Sequence, residues 1–155
     1  MAEKHLLIVA HAPSENTQRL LEAACDGAQS EDTPRVSVEA LSPFDAGPEK
    51  VRQADAIILG TTENLGYMSG ALKDFFDRIY YPILEETQGL PYSLYIRAGH
   101  DGTGTRRGVE TITTGLRWRA VQAPLIFQGE WDEGFVPQCR ELGAAMAAGL
   151  EIGVF

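Results

Sequence analysis

Apolar and polar positions alternate in blocks along this chain, and the blocks change period from one to the next. The run Lys4-His5-Leu6-Leu7-Ile8-Val9-Ala10 predicts a buried strand over 4–10. Helical spacing follows over 17–29, with Thr17, Leu20, Leu21, Ala24 and Ala28 on one stripe. A second strand is expected over 35–40 and a short helix over 48–54, after a loop holding Pro43, Gly47 and Pro48. Ala56-Ile57-Ile58-Leu59 reads as a third strand stopped by Gly60. Helix three is expected over 69–84, with Leu72, Phe75, Phe76, Ile79 and Ile83 at helical spacing. Strand four covers 92–97, and helix four covers 105–119 with Val109, Ile112 and Leu116 inward. Strand five covers 124–128, and helix five covers 134–149 with Phe135, Cys139, Leu142 and Met146 inward.

Five strands separated by helices imply a parallel sheet with both faces covered. The predicted fold is therefore α/β, a three-layer doubly wound sheet in one domain spanning residues 1–155. Right-handed crossovers favour the strand order 2-1-3-4-5. Ligands of such sheets bind beyond the carboxyl ends of the strands. That places interest on the segments after strands one, three and four: 11–17, 61–68 and 99–105.

Composition narrows the chemistry. A formal net charge of −9 disfavours nucleic acid, whose phosphates need clustered Lys and Arg. It suits docking onto a basic partner, or solubility alone. No apolar run is long enough to span a bilayer. The amino terminus lacks the pattern of a signal peptide, so a cytoplasmic location is expected. Cys25 and Cys139 lie far apart within helices and read as core residues. His5, His11 and His100 are scattered, so no metal site is expected.

Each segment has two readings. In His11-Ala12-Pro13-Ser14-Glu15-Asn16-Thr17, Ser14 or Asn16 caps a helix, or the loop holds an anion. In the second case backbone N–H groups, the Ser14 and Thr17 hydroxyls and the Asn16 amide converge at a helix N-terminus. GxxxxGK[ST] and GxGxxG are both absent, which excludes a Walker loop and a Rossmann fingerprint. In Thr61-Thr62-Glu63-Asn64-Leu65-Gly66-Tyr67-Met68, Gly66 admits close approach of a flat ligand and Tyr67 a stacking contact. Otherwise Leu65 and Met68 simply pack on the core. In Gly99-His100-Asp101-Gly102-Thr103-Gly104-Thr105, three glycines suit a backbone wrapped around a ligand edge, or a crossover with Thr105 as helix cap. Together the three segments match a ligand with a phosphate at one end and a planar ring at the other. FMN has that shape.

The stretches LLIVAHAPSENTQRL, ADAIILGTTENLGYMSGALKDFFDRIYYP and RAGHDGTGTRRGVETI resemble the three flavin-contacting segments of the flavodoxin-like superfamily, including its quinone-reductase and FMN-reductase branches. YMSGALKDFFDR is the most specific of them. The resemblance implies a flavodoxin-like fold with FMN as cofactor. It implies that Ala12, Pro13, Ser14, Glu15, Asn16 and Thr17 bind the phosphate. Thr62, Glu63, Asn64, Leu65, Gly66 and Tyr67 would contact the ribityl chain and ring through backbone and packing. Gly99, His100, Asp101 and Gly102 would close over the pyrimidine edge, with His100 the one candidate for a catalytic side chain. Ala12 stands where the family commonly has serine, and Glu15 where it commonly has glycine.

Three functions fit these residues. The first is an NAD(P)H-dependent oxidoreductase passing electrons through FMN to a quinone or another acceptor, with Arg106 and Arg107 meeting the dinucleotide phosphates. The second is a non-enzymatic electron carrier with an acidic docking rim, its redox partner another protein. The third is a flavin-free binding module, for which Ala12 and Glu15 are the sequence argument. A dimer is compatible with each.

Overall fold

The computed structural model describes residues 3–30 and 32–155; Met1 and Ala2, on which part of the signal-peptide reading falls, lie outside the described residues. The elements in chain order are β1 (Lys4–Ala10), α1 (Glu15–Ala28), β2 (Val36–Leu41), α2 (Pro48–Gln53), β3 (Ala56–Asn64), β4 (Tyr67–Met68), α3 (Gly70–Ile83), β5 (Pro91–Ala98), α4 (Thr103–Leu116), β6 (Arg119–Ala120), β7 (Leu125–Gln128) and α5 (Phe135–Ile152). The sheet runs β2-β1-β3-β5, with β6 and β7 both against the outer side of β5. These pairings are parallel. This is the doubly wound order expected, with the fifth strand divided in two.

Alternation along β1 builds two cores. Leu7 and Val9 point to the face covered by Val51 of α2, Phe75, Phe76 and Ile79 of α3, and Val109 and Leu116 of α4. Leu6 and Ile8 point the other way, onto Leu20 and Ala24 of α1 and Cys139, Leu142 and Met146 of α5. A strand buried on both faces must be apolar throughout, which is why β1 reads as a continuous run. Glycine seats α1 on α5: a Cβ on Gly143 would overlap the Ala24 carbonyl oxygen, and one on Gly27 that of Arg140.

Burial of Cys139 pushes its thiol up to about 12. Cys139 is therefore expected to resist iodoacetamide at pH 8 in the native protein and to react once urea unfolds it, as followed by mass spectrometry. Labelling of Cys139 in the native state would contradict the packing of α5.

Four elements shift by two residues or more at an end. Helix one starts at Glu15 rather than 17, because Ser14 is its cap. Strand three does not stop at Gly60 but continues to Asn64 and returns as β4. Gly60 is opposite Tyr95, and any Cβ there would collide with the tyrosine ring. Helix four covers Thr103–Leu116 instead of 105–119, since Arg117 takes a left-handed conformation (φ 62°) and the chain re-enters the sheet as β6. Helix five runs past 149 to Ile152. Among the described residues no helix is long and apolar enough to cross a membrane.

Candidate functional site

β1, β3 and β5 are parallel neighbours, so the segments after them emerge on one edge. At the end of β1 the His11 N–H donates to the Gly60 carbonyl at 3.0 Å, and the chain then enters α1. Ser14 Oγ accepts from the Thr17 N–H at 3.2 Å, and Thr17 Oγ1 accepts from the Ser14 N–H at 2.9 Å. This reciprocal pair is a capping box. Capping does not exclude anion binding. The cap uses Ser14 Oγ as an acceptor from the Thr17 N–H; its hydroxyl also shares a 2.8 Å hydrogen bond with Thr17 Oγ1, which an anion would replace, and Ser14 is exposed. The N–H groups of Glu15 and Asn16 belong to the first turn, where no intrahelical acceptor exists. Asn16 and Ala12 are half-buried, and Pro13 and Glu15 are exposed.

The second segment is a β-hairpin rather than a loop. β3 and β4 pair antiparallel, Glu63 opposite Met68 and Asn64 opposite Tyr67. Leu65 (φ 53°) and Gly66 (φ 76°) form its two-residue turn, both left-handed as a tight hairpin of this twist requires. Leu65 is the unusual member. It adopts a conformation that costs a non-glycine residue about 1–2 kcal/mol, and its side chain is wholly exposed. Such strain at a tip points to use of that tip. Thr61 Oγ1 accepts from the Ser69 N–H at 3.0 Å inside the hairpin base, and Thr62 Oγ1 donates to Asn64 Oδ1 at 2.8 Å.

The hairpin lies against α4. A Cβ on Gly104 would overlap the Gly66 carbonyl oxygen, and one on Gly108 would overlap the Tyr67 ring. Tyr67 rests one ring edge on α4 at Gly108 and stays 38% exposed.

Glu63 engages the third segment through its side chain while its backbone pairs with β4. Oε1 accepts from the His100 N–H at 2.8 Å and Oε2 from the Gly102 N–H at 2.9 Å. Second and third segments are therefore joined by one carboxylate. Asp101 Oδ1 accepts from the Thr103 N–H at 3.0 Å, and that bond holds the Asp101 carboxyl below its ordinary value. Thr103, not Thr105, opens the helix; Gly102 precedes it with φ 69°. Gly99 and the His100 side chain are exposed.

Arg106 pairs with Glu110 at 3.2 Å, both about half exposed. Arg107 is exposed and makes no ion pair among the described residues. With Thr103, Glu110 and Ile126 the two arginines line an open hollow of about 300 Å³.

The segment after β7 had no assigned role in the sequence, yet it closes the same edge. Arg19 donates twice to Glu133, at 2.8 and 2.7 Å, and the Trp131 indole N–H donates to the same carboxylate. These bonds, with Arg19 foremost, hold the Glu133 carboxyl down to about 2. Two guanidiniums approach the Trp131 ring, Arg19 at 5.6 Å and Arg97 at 5.8 Å from its centre. The available signal was Gly129-Glu130-Trp131-Asp132-Glu133-Gly134, an aromatic and acids bracketed by glycines at a strand's carboxyl end.

Residues 4–125, most of the chain, match the family model of NADPH-dependent FMN reductase. The chain belongs to that family. Membership assigns FMN as its cofactor. No curated protein matches the chain. Among solved structures, an archaeal flavodoxin is 19% identical with a TM-score of 0.79, covering 94% of this chain and 98% of its own. The two-electron reduced flavodoxin of Megasphaera elsdenii is 20% identical with a TM-score of 0.75, covering 92% and 98%. A flavodoxin, WrbA-like protein from Agrobacterium tumefaciens is 20% identical with a TM-score of 0.72, covering 94% and 96%. These likenesses establish a flavodoxin-like fold for this FMN reductase family member.

The residues of the edge fit such a group. N–H donors face outward at the start of α1. His11 Nδ1 is buried beside that loop without a protein partner, and burial holds the ring below its ordinary pKa, favouring the neutral form. Glycine backbone, at Gly66 and Gly102, takes the left-handed turns that bring main chain toward a flat ligand.

The strained turn gives a prediction for this family member. Asn tolerates the left-handed region, so Leu65→Asn is expected to stabilise the flavin-free protein by about 1 kcal/mol in urea unfolding. FMN affinity, read by fluorescence quenching, is expected to fall several-fold with loss of the apolar tip. Unchanged stability would show that the hairpin turn is unstrained.

Proposed function

We propose that this protein is an NAD(P)H-dependent oxidoreductase that passes electrons through FMN to a quinone or another small-molecule acceptor, and that it works in the cytoplasm. Bound FMN supplies two-electron, hydride-accepting chemistry. Within this reading the start of α1 binds the phosphate through the Ser14 hydroxyl, the Asn16 side chain and first-turn N–H groups. The hairpin and residues 99–102 flank the ring. No side chain of the protein need transfer a proton.

One observation supports the dinucleotide part: among the described residues Arg107 makes no ion pair, beside Arg106, in an open hollow that Glu110 also lines, on the helix that follows residues 99–102. Unpaired guanidinium is what a dinucleotide phosphate seeks, with bidentate geometry available. Arg106→Gln, Arg107→Gln is expected to slow anaerobic flavin reduction at subsaturating NADPH by about tenfold, equivalent to ~1.4 kcal/mol of transition-state binding. FMN affinity should stay within twofold, because neither residue belongs to the ring-flanking segments. Equal reduction rates in stopped flow would remove the arginines from donor binding.

A second reading, an electron carrier, is supported by the net charge of −9 and by the nearly complete coverage of two flavodoxins. A carrier would be reduced by NADPH only through an added flavoprotein. In it the double Gln variant, more negative, would meet a basic partner faster at low salt.

A further inference from the structure

Glu63 sits near the end of β3, half-buried, and reaches 37 and 39 residues along the chain to the His100 and Gly102 amides. The left-handed Gly102, φ 69° and ψ 4°, helps form the concave run of N–H groups that receives an anion. The anion here is the protein's own. Hydrogen bonds to a carboxylate are roughly twice as strong as neutral ones, and two of them fix residues 100–102 against the hairpin. Among the described residues Glu63 forms no ion pair, and its charge is received by the His100 and Gly102 amides.

We infer that Glu63 is a positioning residue that also sets the redox poise of the site. The inference rests on the flavin reading above. A ring held between the hairpin and residues 99–102 gains electron density on reduction. N–H donors aimed at it would favour the reduced form, and a nearby negative charge disfavours it. Glu63 acts both ways in the same direction. It withdraws two N–H donors into its own hydrogen bonds and brings a carboxylate into the wall of the site. The consequence is a lower reduction potential, which makes the reduced cofactor a stronger donor to its acceptor. Arg106 and Arg107 lie farther along α4, and Arg106 is paired with Glu110, so the carboxylate is not locally neutralised by them.

The test compares Glu63→Gln with Glu63→Asp in the FMN-loaded protein, equilibrated against a redox dye. Gln removes the charge and replaces one acceptor oxygen with a donor. It is expected to shift the oxidised-to-reduced equilibrium about tenfold toward the reduced form, ~30 mV for a two-electron couple. Asp keeps the charge on a shorter stem and should stay within threefold of the unaltered protein. In the flavin-free protein, amide exchange at His100 and Gly102 should quicken at least tenfold with Gln, as read by NMR. A Gln variant with the original potential overturns the inference, as do Gln and Asp variants shifted equally, which would mark a purely structural role. Unchanged amide exchange overturns the pinning. If the unaltered protein fails to bind FMN, the flavin reading itself falls; indifference to Glu63→Gln in a protein that binds FMN overturns only this inference.

Discussion

Gly104→Ala is expected to cost about 1–3 kcal/mol of stability and at least tenfold in FMN affinity. The cause is overpacking at a point that cannot yield. The new Cβ would occupy the position of the Gly66 carbonyl oxygen. Backbone cannot swing aside as a long side chain would, and Gly66 is already committed to the left-handed turn at φ 76°. The hairpin must therefore lift from α4. Tyr67, seated on Gly108 one turn further along, would move with it. Two of the three segments proposed to flank the cofactor would then lose their mutual register. Gly70→Ala is the control: nothing lies within 4 Å of its Cβ position at the exposed first residue of α3, and a change within about ±0.5 kcal/mol is expected. Urea unfolding and FMN titration of both variants check the contrast. Wild-type stability in Gly104→Ala would mean that the hairpin does not rest on α4.

Ser14→Gly is expected to lower FMN affinity by roughly 5- to 150-fold, the ~1–3 kcal/mol of a lost hydrogen bond to a charged group. The same change should cost the helix only a few tenths of a kcal/mol, because glycine is nearly as good a cap as serine. The Thr17 hydroxyl still receives the N–H of residue 14. Ser14→Ala, Thr17→Ala differs in kind. It removes the capping box as well, at about 1 kcal/mol per cap contact, so its affinity loss mixes cofactor contact with fraying of α1. The glycine variant separates the two roles that the sequence left open for this loop. If Ser14→Gly binds FMN as tightly as the unaltered protein, Ser14 serves only the helix. The phosphate would then rest on backbone N–H groups and Asn16.

What the sequence made legible follows from burial. β1 and the first half of β3 are covered on both faces, so their apolar runs are continuous, and the sheet order follows from handed crossovers. The inward faces of α3 and α4 were legible for the same reason: Leu72, Phe75, Phe76, Ile79 and Val109 are all buried. The hairpin was not. Past Gly60 the strand becomes polar, and glycine there reads as a stop when it is in fact room for Tyr95. An isolated glycine in a strand can equally mark a close approach, and that was the missed signal. The role of Glu63 was illegible because its partners are backbone amides, which carry no sequence signature, 37 and 39 residues away. Glu133 and Trp131 were invisible for a related reason. Their partner Arg19 lies on α1, at a separation of 114 residues from Glu133, and reads alone as a solvated helix residue.

The most direct test of the account is titration of the flavin-free protein with FMN, following quenching of flavin fluorescence. One FMN per chain should bind, with a dissociation constant at or below the micromolar range and with Ser14→Gly and Gly104→Ala both weaker. Absence of saturable quenching, or binding unaffected by either variant, would contradict a flavin site built at the carboxyl edge of β1, β3 and β5.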